Sequence, residues 1–205
     1  MTAAGKLARA YCGGLKSAYC ACGTQEAWDH FASIAHGASR EDLAALKALY
    51  PEVPESLLAL LGIVDGTYFQ EYQGETAAFY FLGSGLEGYP YYLLSAKQMA
   101  QAGGGFAKWG GFLIRREFDG IPVDEKITDS LESLRWLHFS DCMNNGGTSR
   151  LYLDFSPSEK GRAGQVVRWL HDPGELAVIA DSFGEYLQML MDQEYGFINE
   201  DTAEE

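Results

Sequence analysis

The chain has 205 residues, of which 47% are hydrophobic, so it can bury a sizeable core without metals or disulfides. Its 29 acidic and 15 basic side chains give a formal net charge of −14, which disfavours nucleic acid and anionic membranes as partners, because phosphate binding depends on Lys and Arg. No apolar run approaches the roughly 20 residues that cross a bilayer, and the cysteine pattern favours reduced thiols and a cytoplasmic location.

The first third of the chain carries helical periodicity. Apolar residues recur at helical spacing through residues 1–22, although Gly13-Gly14 weakens that helix by about 1 kcal/mol per glycine. Three further helices are predicted, over residues 25–36, over residues 40–50 with Ser39 as the cap, and over residues 54–61. We therefore expect a cluster of helices before the first strand.

After Gly66 the pattern changes to that of strands. Runs rich in β-branched and aromatic residues predict strands over 67–72, 76–82, 89–94 and 112–118. Ser95 is predicted to cap a brief helix between the third and fourth of these strands. Residues 119–133 are rich in turn formers and acids, which indicates a loop that crosses the surface.

The stretch from Trp136 to Leu190 has the most informative order of elements. Three short strands are predicted in it, over 136–139, 151–155 and 164–170. A tight turn of Asn and Gly at 144–147 and other short connections make these strands antiparallel neighbours. Ser182 then caps a last amphipathic helix. The whole predicts an α+β fold, with N-terminal helices packed on a mainly antiparallel sheet of about five or six strands and closed by a C-terminal helix.

No motif for catalysis, a cofactor or a metal rises above background. Glycines that begin at Gly83 resemble a dinucleotide fingerprint, but they lead into an extended segment rather than a helix N-terminus. Cys20-x-Cys22 lacks the usual two-residue gap of a zinc pair. Cys142 with His138 or His171 would imitate a thiol nucleophile and its base, and structural packing is the alternative.

Two groups of side chains are candidates for binding a partner. The first is aromatic, because aromatic rings with a polar tip dominate binding hot spots. Its members are Tyr72, Tyr89, Tyr91, Tyr92 and Trp109. The second group is acidic and lies in the predicted surface loop. Its members are Asp119, Asp124, Glu125 and Asp129. Core and strand-edge packing is the alternative for the aromatic group, and a solvated loop is the alternative for the acidic group.

The order of several motifs is more specific than any one of them. A tryptophan-led strand, a Gly-rich turn, an Asp strand and a Gly-Gln-Val strand are carried by Trp136, Phe139, Gly146, Gly147, Asp154, Pro157, Gly161, Gly164, Gln165 and Val166. Upstream, residues 46–66 hold a proline-led helix and an Asp65-Gly66 turn. In this order the motifs resemble the SMI1/KNR4 family, also called the SUKH superfamily. His138 stands where that family usually has proline, and Asp65 stands where it usually has asparagine.

The resemblance implies three parts, namely a helical extension over 1–25, a SUKH domain over 26–192 and an acidic tail over 193–205. It also implies a non-enzymatic protein-binding domain, because many bacterial relatives look like immunity proteins that neutralise polymorphic toxins exchanged between neighbouring cells. The negative charge favours a basic toxin, such as a nuclease, since long-range attraction speeds association. The alternatives are a regulatory scaffold, as in the fungal members tied to cell-wall synthesis and signalling, and a hydrolase without a recognised motif.

Overall fold

A computed structural model of the chain describes residues 1–86, 89–103, 105–117, 119–142, 149–172 and 174–203. The side chains of Trp109, Asp201 and Ala203 and the predicted turn at 144–147 lie outside the described residues. Within them, N-terminal helices precede a curled six-stranded antiparallel sheet and a closing helix. The predicted α+β fold is therefore confirmed.

The helical start of the chain is as predicted. Its helices are α1 (Ala3–Ala21), α2 (Gln25–Ile34), α3 (Arg40–Leu49) and α4 (Glu55–Leu61). The Ser39 hydroxyl accepts a hydrogen bond from the Asp42 backbone N–H at 3.0 Å, so Ser39 caps α3. In the part of the chain that the structure describes, no helix combines the length and the apolar character needed to cross a bilayer.

The strands form two sheets. A small hairpin joins β1 (Gln70–Tyr72) to β2 (Glu75–Ala77). The main sheet contains, in spatial order, β3 (Leu82–Gly83), β4 (Pro90–Leu93), β5 (Trp136–Cys142), β6 (Ser149–Asp154), β7 (Gln165–Leu170) and β8 (Glu175–Ala180). The remaining helices are α5 (Ala96–Gln101), α6 (Gly105–Trp109), α7 (Gly111–Ile114), α8 (Phe183–Asp192) and α9 (Glu200–Ala203).

One predicted strand is wrong, the strand predicted over 76–82 is divided between β2 and β3 of two different sheets, and one observed strand was missed. The predicted strand over 112–118 contains the end of α7 instead, and the consecutive residues Leu113 and Ile114 are both buried. A strand would point these two side chains to opposite faces, whereas a helical turn brings both against the sheet. The missed strand is β8, whose pairing with β7 includes a register shift beside Val167. At Leu113 and Ile114, packing against the sheet therefore overrides the β-forming composition of residues 112–118.

The two faces of the main sheet bury different clusters. The helix face packs with α1, α4 and α8 and carries Leu137, Phe139, Leu151, Leu153 and Val166. The second face packs with α6 and α7 and carries Trp136, Tyr152, Val167, Trp169 and Leu176. The groove and the charged cluster described below lie on the second face or at its border.

A bulge in β5 changes which side chains reach the second face. The pairing with β6 shifts between His138 and Ser140, so that His138 lies opposite Tyr152 while Asp141 lies opposite Arg150. In a regular strand, residues 138 and 141 would point to opposite faces, because side chains alternate. The bulge brings His138 and Asp141 to the same face.

Both ends of the described chain pack into the main core. Tyr11 and Leu15 of α1 are fully buried there, and Tyr195 and Phe197 follow α8 into the same cluster. The division into an extension over 1–25, a domain over 26–192 and a tail over 193–205 stays a prediction.

Gly14 permits a close contact between α1 and the segment after α8. The Tyr195 hydroxyl lies against Gly14 and donates to the Tyr11 carbonyl oxygen at 2.9 Å. A methyl group at Gly14 would overlap that hydroxyl, whereas a methyl group at Gly13 would meet nothing within 4 Å. We expect Gly14→Ala to lower the free energy of unfolding by about 1–3 kcal/mol and Gly13→Ala to raise it by about 1 kcal/mol in urea denaturation. Stabilisation by both substitutions would show that helix propensity alone governs this site.

Candidate functional site

The predicted acidic loop forms part of an open groove. Glu125 and Asp129 line this groove together with Glu159, and the two basic residues Arg116 and Lys160 also lie in its wall. The groove has a volume of about 570 Å³. Lys160 Nζ lies 2.6 Å from Glu125 Oε2, and both side chains are largely exposed. An exposed ion pair of this kind contributes little to stability, so Glu125 can exchange Lys160 for another cation at low cost.

Asp124 holds the loop in place. Its carboxylate accepts hydrogen bonds from the Lys126 backbone N–H at 2.9 Å and from the Val178 backbone N–H of β8 at 3.3 Å. The Asp124 N–H donates to the Leu176 carbonyl at 2.9 Å, and the Leu176 N–H donates to the Pro122 carbonyl at 3.0 Å. The segment before Glu125 is thus added to the sheet alongside β8.

A buried polar network fixes the other side of the loop. Gln165 Nε2 donates to the Asp154 carboxylate at 3.0 Å and to the Lys126 carbonyl at 3.1 Å. Asp154 also accepts a hydrogen bond from the Ser156 backbone N–H at 2.8 Å. Both Asp154 and Gln165 are fully buried, and burial raises the pKa of Asp154. A side chain at Gly161 would collide with the Lys126 carbonyl, which explains glycine there.

The predicted acidic residues therefore have three different environments. Glu125 and Asp129 line the groove, and Asp124 serves as a backbone acceptor. Asp119 is exposed in the turn that precedes the loop. The structure brings Glu159 into the groove from the connection between β6 and β7. The sequence analysis missed Glu159, because the residues next to it in sequence do not indicate that it lies in the same groove as Glu125, which is more than thirty positions earlier.

The predicted aromatic residues are spread between the core and its edge. Tyr72 and Tyr91 are fully buried in the main core, as the packing alternative predicts. Tyr92 is 8% exposed, and Tyr89 is partly buried against the same core. The side chain of Trp109 lies outside the described residues. Tyr72 and Tyr91 are thus inaccessible to a partner in this conformation.

A different aromatic patch lies beside Tyr92 and was missed. Phe69 is 51% exposed, and its ring centroid lies 5.3 Å from that of Tyr68 and 6.1 Å from that of Tyr92. Phe69 has a φ of +48°, a left-handed conformation that is uncommon for a bulky residue. The strand predicted over 67–72 therefore begins only at Gln70. Composition favours a strand at Phe69 and gives no sign of this conformation.

A charged cluster occupies the second face next to a small cavity. Asp141 Oδ1 lies 3.0 Å from Arg150 Nε, and Asp141 Oδ2 lies 3.3 Å from His138 Nε2. Next to this cluster is a cavity of about 40 Å³, whose wall includes His138, Arg150 and Tyr152. The bulge in β5 is what places His138 and Asp141 together.

The thiol of Cys142 is not placed to work with either histidine. Cys142 is fully buried on the helix face, whereas His138 lies on the second face and His171 is exposed. A thiolate nucleophile needs an imidazole within hydrogen-bonding reach, so this arrangement favours the packing alternative for Cys142. Across the described ranges, no group of three or more His, Cys, Asp or Glu side chains is arranged to hold a metal.

Comparison with known proteins supplies a family. The SMI1/KNR4 family (SUKH-1) matches residues 37–189, which are 153 of the 205 residues. No curated protein matches the chain. The matched range contains the groove, the buried network of Asp154 and Gln165, and the second face.

Proposed function

This chain belongs to the SMI1/KNR4 family (SUKH-1), and from this premise we propose that it is an immunity protein that binds and blocks a basic toxin domain. Domains of this family are generally non-catalytic, which supports a function in binding. The net charge of −14 is the observation that selects a basic partner. Such a charge accelerates the encounter with a cationic protein.

The groove lined by Glu125, Asp129 and Glu159 is the contact surface that we propose. Its acidic loop is held by β8 on one side and by Gln165 on the other. A loop fixed before binding loses little conformational entropy when the partner arrives, so more of the interaction energy is retained as affinity. A Lys or Arg of the toxin would replace Lys160 at the Glu125 carboxylate.

The aromatic patch of Tyr68, Phe69 and Tyr92 is a second contact that we propose. Half of the Phe69 side chain is exposed although the ring is large and apolar, and an exposed aromatic ring is a typical binding anchor. Tyr92, one of the aromatic residues predicted from the sequence, thus lies at the edge of this proposed contact. None of the four cysteines forms a disulfide, which agrees with the proposed site of action in the cytoplasm.

An immunity protein should be encoded beside a secreted toxin, and co-expression with that toxin tests the proposal. We expect the chain to restore growth and to form a complex that survives gel filtration at low salt. An unrelated protein of similar size and net charge is the control for non-specific attraction. Absence of both rescue and complex would remove the immunity function. A stable complex without rescue would favour the scaffold alternative.

A further inference from the structure

The first 25 residues carry a charge opposite to that of the rest of the chain. They contain Lys6, Arg9 and Lys16 and neither Asp nor Glu. Without these three cations, the formal net charge of −14 becomes −17 for the remaining residues. The segment also precedes residues 37–189, the range that matches the family. It is therefore a basic region of an acidic protein, and it lies outside the matched domain.

The helix α1 brings these cations to one face. Lys6, Arg9, Gly13 and Lys16 follow one another at intervals of three or four residues, so they lie in a row along the helix, and all four are exposed. We call this row the basic stripe. The opposite face of α1 is fixed in the main core, where Tyr11 is fully buried. The basic stripe therefore faces solvent, and the folded chain cannot turn the apolar face of α1 outward.

The cations of the basic stripe are available to a partner. Among the described residues, neither Lys6 nor Arg9 forms an ion pair. Lys16 Nζ lies 3.2 Å from Asp29 Oδ1, but both side chains are about half exposed, and an exposed pair of this kind is exchanged at low cost. Cations in a row attract carboxylates that are arranged with the same spacing. The charge of the stripe thus favours an acidic partner.

Gly13 is a second and independent feature of the basic stripe. The next residue, Gly14, leaves room for the Tyr195 hydroxyl, so its missing side chain is explained inside the fold. A methyl group at Gly13 would meet nothing within 4 Å, so no described residue requires glycine there. Glycine is a poor helix former, and alanine would be favoured if stability alone mattered. Since a residue without a side chain lets another backbone approach closely, Gly13 indicates a close contact in the middle of the stripe.

We propose that the basic stripe binds an acidic α-helix of a partner protein, which lies along α1 and approaches it most closely at Gly13. The 19 residues of α1 span about 28 Å, and a helix beside them can place carboxylates opposite cations at the same intervals. Nucleic acids and anionic membranes carry a far denser negative charge, which the net charge of −14 repels, and the apolar face of α1 is buried. This contact is separate from the groove and does not depend on a toxin.

Titration of the full chain with an acidic helical peptide tests the proposal. The probe is an alanine-rich peptide that repeats the heptad Glu-Ala-Gln-Glu-Ala-Ala-Gln, so that its glutamates recur at the intervals of the basic stripe. At low salt, we expect a saturable shift of the Gly13 backbone N–H signal in nuclear magnetic resonance spectra. The same peptide with glutamine in place of every glutamate should bind at least about tenfold more weakly. No saturable response at Gly13, or equal binding of the two peptides, would overturn the proposal.

Charge variants separate the basic stripe from the overall charge. Lys6→Gln with Arg9→Gln should weaken binding of the acidic peptide by about tenfold, because two of the three cations are lost. The matched control is Lys97→Gln with Lys108→Gln, since both lysines are exposed on α5 and α6 and both double variants bring the formal net charge to −16. The control should change the affinity by less than about twofold. Equal weakening by the two double variants would overturn the proposal.

A bulky residue at Gly13 tests the close approach. Leucine is a good helix former and the space beside Gly13 is open, so Gly13→Leu should not lower the melting temperature. It should nevertheless weaken binding of the acidic peptide by about tenfold, because its side chain would hold the two helices apart. Unchanged affinity in Gly13→Leu would overturn the proposal. A stronger response of the Gly13 signal to a DNA duplex or to phosphatidylglycerol vesicles than to the peptide would overturn it as well.

Discussion

Reversing two charges of the groove, with Glu125→Lys and Asp129→Lys together, should slow association with the basic toxin by about tenfold or more at low salt. Both side chains line the groove and both are exposed, so the substitutions place lysines where the proposed partner presents its own cations. Like charges at a contact raise the energy of the encounter as well as of the complex. Stopped-flow measurement of the association rate constant would show the effect.

The matched control is Asp192→Lys with Glu194→Lys. These residues lie at and just after the end of α8, which packs on the helix face, away from the groove. Lysine at a helix C-terminus is favourable, so the fold should tolerate the change. Both double variants bring the formal net charge from −14 to −10, and long-range attraction therefore changes equally. We expect the control to slow association by less than about threefold.

Ionic strength provides a second criterion for the same pair of variants. Association of the wild-type chain should slow as salt is added, because screening shortens the range of attraction. The groove variant should respond less to salt than the α8 variant does. Equal rates and equal salt responses for the two variants would show that only the overall charge matters and that the groove is not the contact.

Local signals in the sequence predicted much of the helical part of the fold. Ser39, Ser95 and Ser182 each accept a backbone N–H at the start of a helix, as their positions before apolar periodic segments predict. These contacts involve residues three positions apart, so the sequence alone contains both partners. The helix α1 was predicted from its apolar periodicity, although Gly14 within it is explained only by Tyr195, far away in the chain.

Features that depend on distant residues could not be predicted in this way. The bulge in β5 follows from pairing with β6, and it decides that His138 and Asp141 share a face with Arg150. The groove likewise needs Glu159 to meet the loop around Glu125. Acidic composition identified Glu125 and Asp129 as surface residues, but it did not separate them from Asp124, whose carboxylate is used inside the fold.

Removal of the Gln165 side chain should have the largest effect on stability. Gln165 is fully buried, donates to Asp154 and to the Lys126 carbonyl, and accepts the Arg162 backbone N–H at 3.1 Å. Gln165→Ala removes one of the side-chain donors of the buried Asp154 carboxylate and leaves a cavity, so we expect the free energy of unfolding to fall by about 3 kcal/mol or more. Gln188→Ala is the matched control, since Gln188 is exposed and bonds only to Asp192 among its described partners. Its effect should stay within about 0.5 kcal/mol.

The effect of Gln165→Ala should also depend on pH through Asp154. Burial raises the pKa of Asp154 in the folded state, so its contribution to stability is greatest at low pH and is lost as the pH rises through that folded-state pKa. Loss of the Gln165 donor raises this pKa further, because the charged carboxylate loses a hydrogen bond. The destabilisation should therefore be full at neutral pH and smaller at about pH 4.5 in urea denaturation. An equal loss at both pH values would assign the effect to packing alone.

The same variant connects the buried network to binding. Gln165 holds the Lys126 carbonyl and thus one side of the acidic loop, yet it is itself fully buried. We expect Gln165→Ala to weaken toxin binding even under conditions in which the variant is fully folded, because the loop must then be ordered during association. Since Gln165 carries no charge, the salt dependence of association should stay that of the wild-type chain, in contrast to the groove variant. Unchanged affinity in the folded variant would show that Asp124 and β8 suffice to hold the loop.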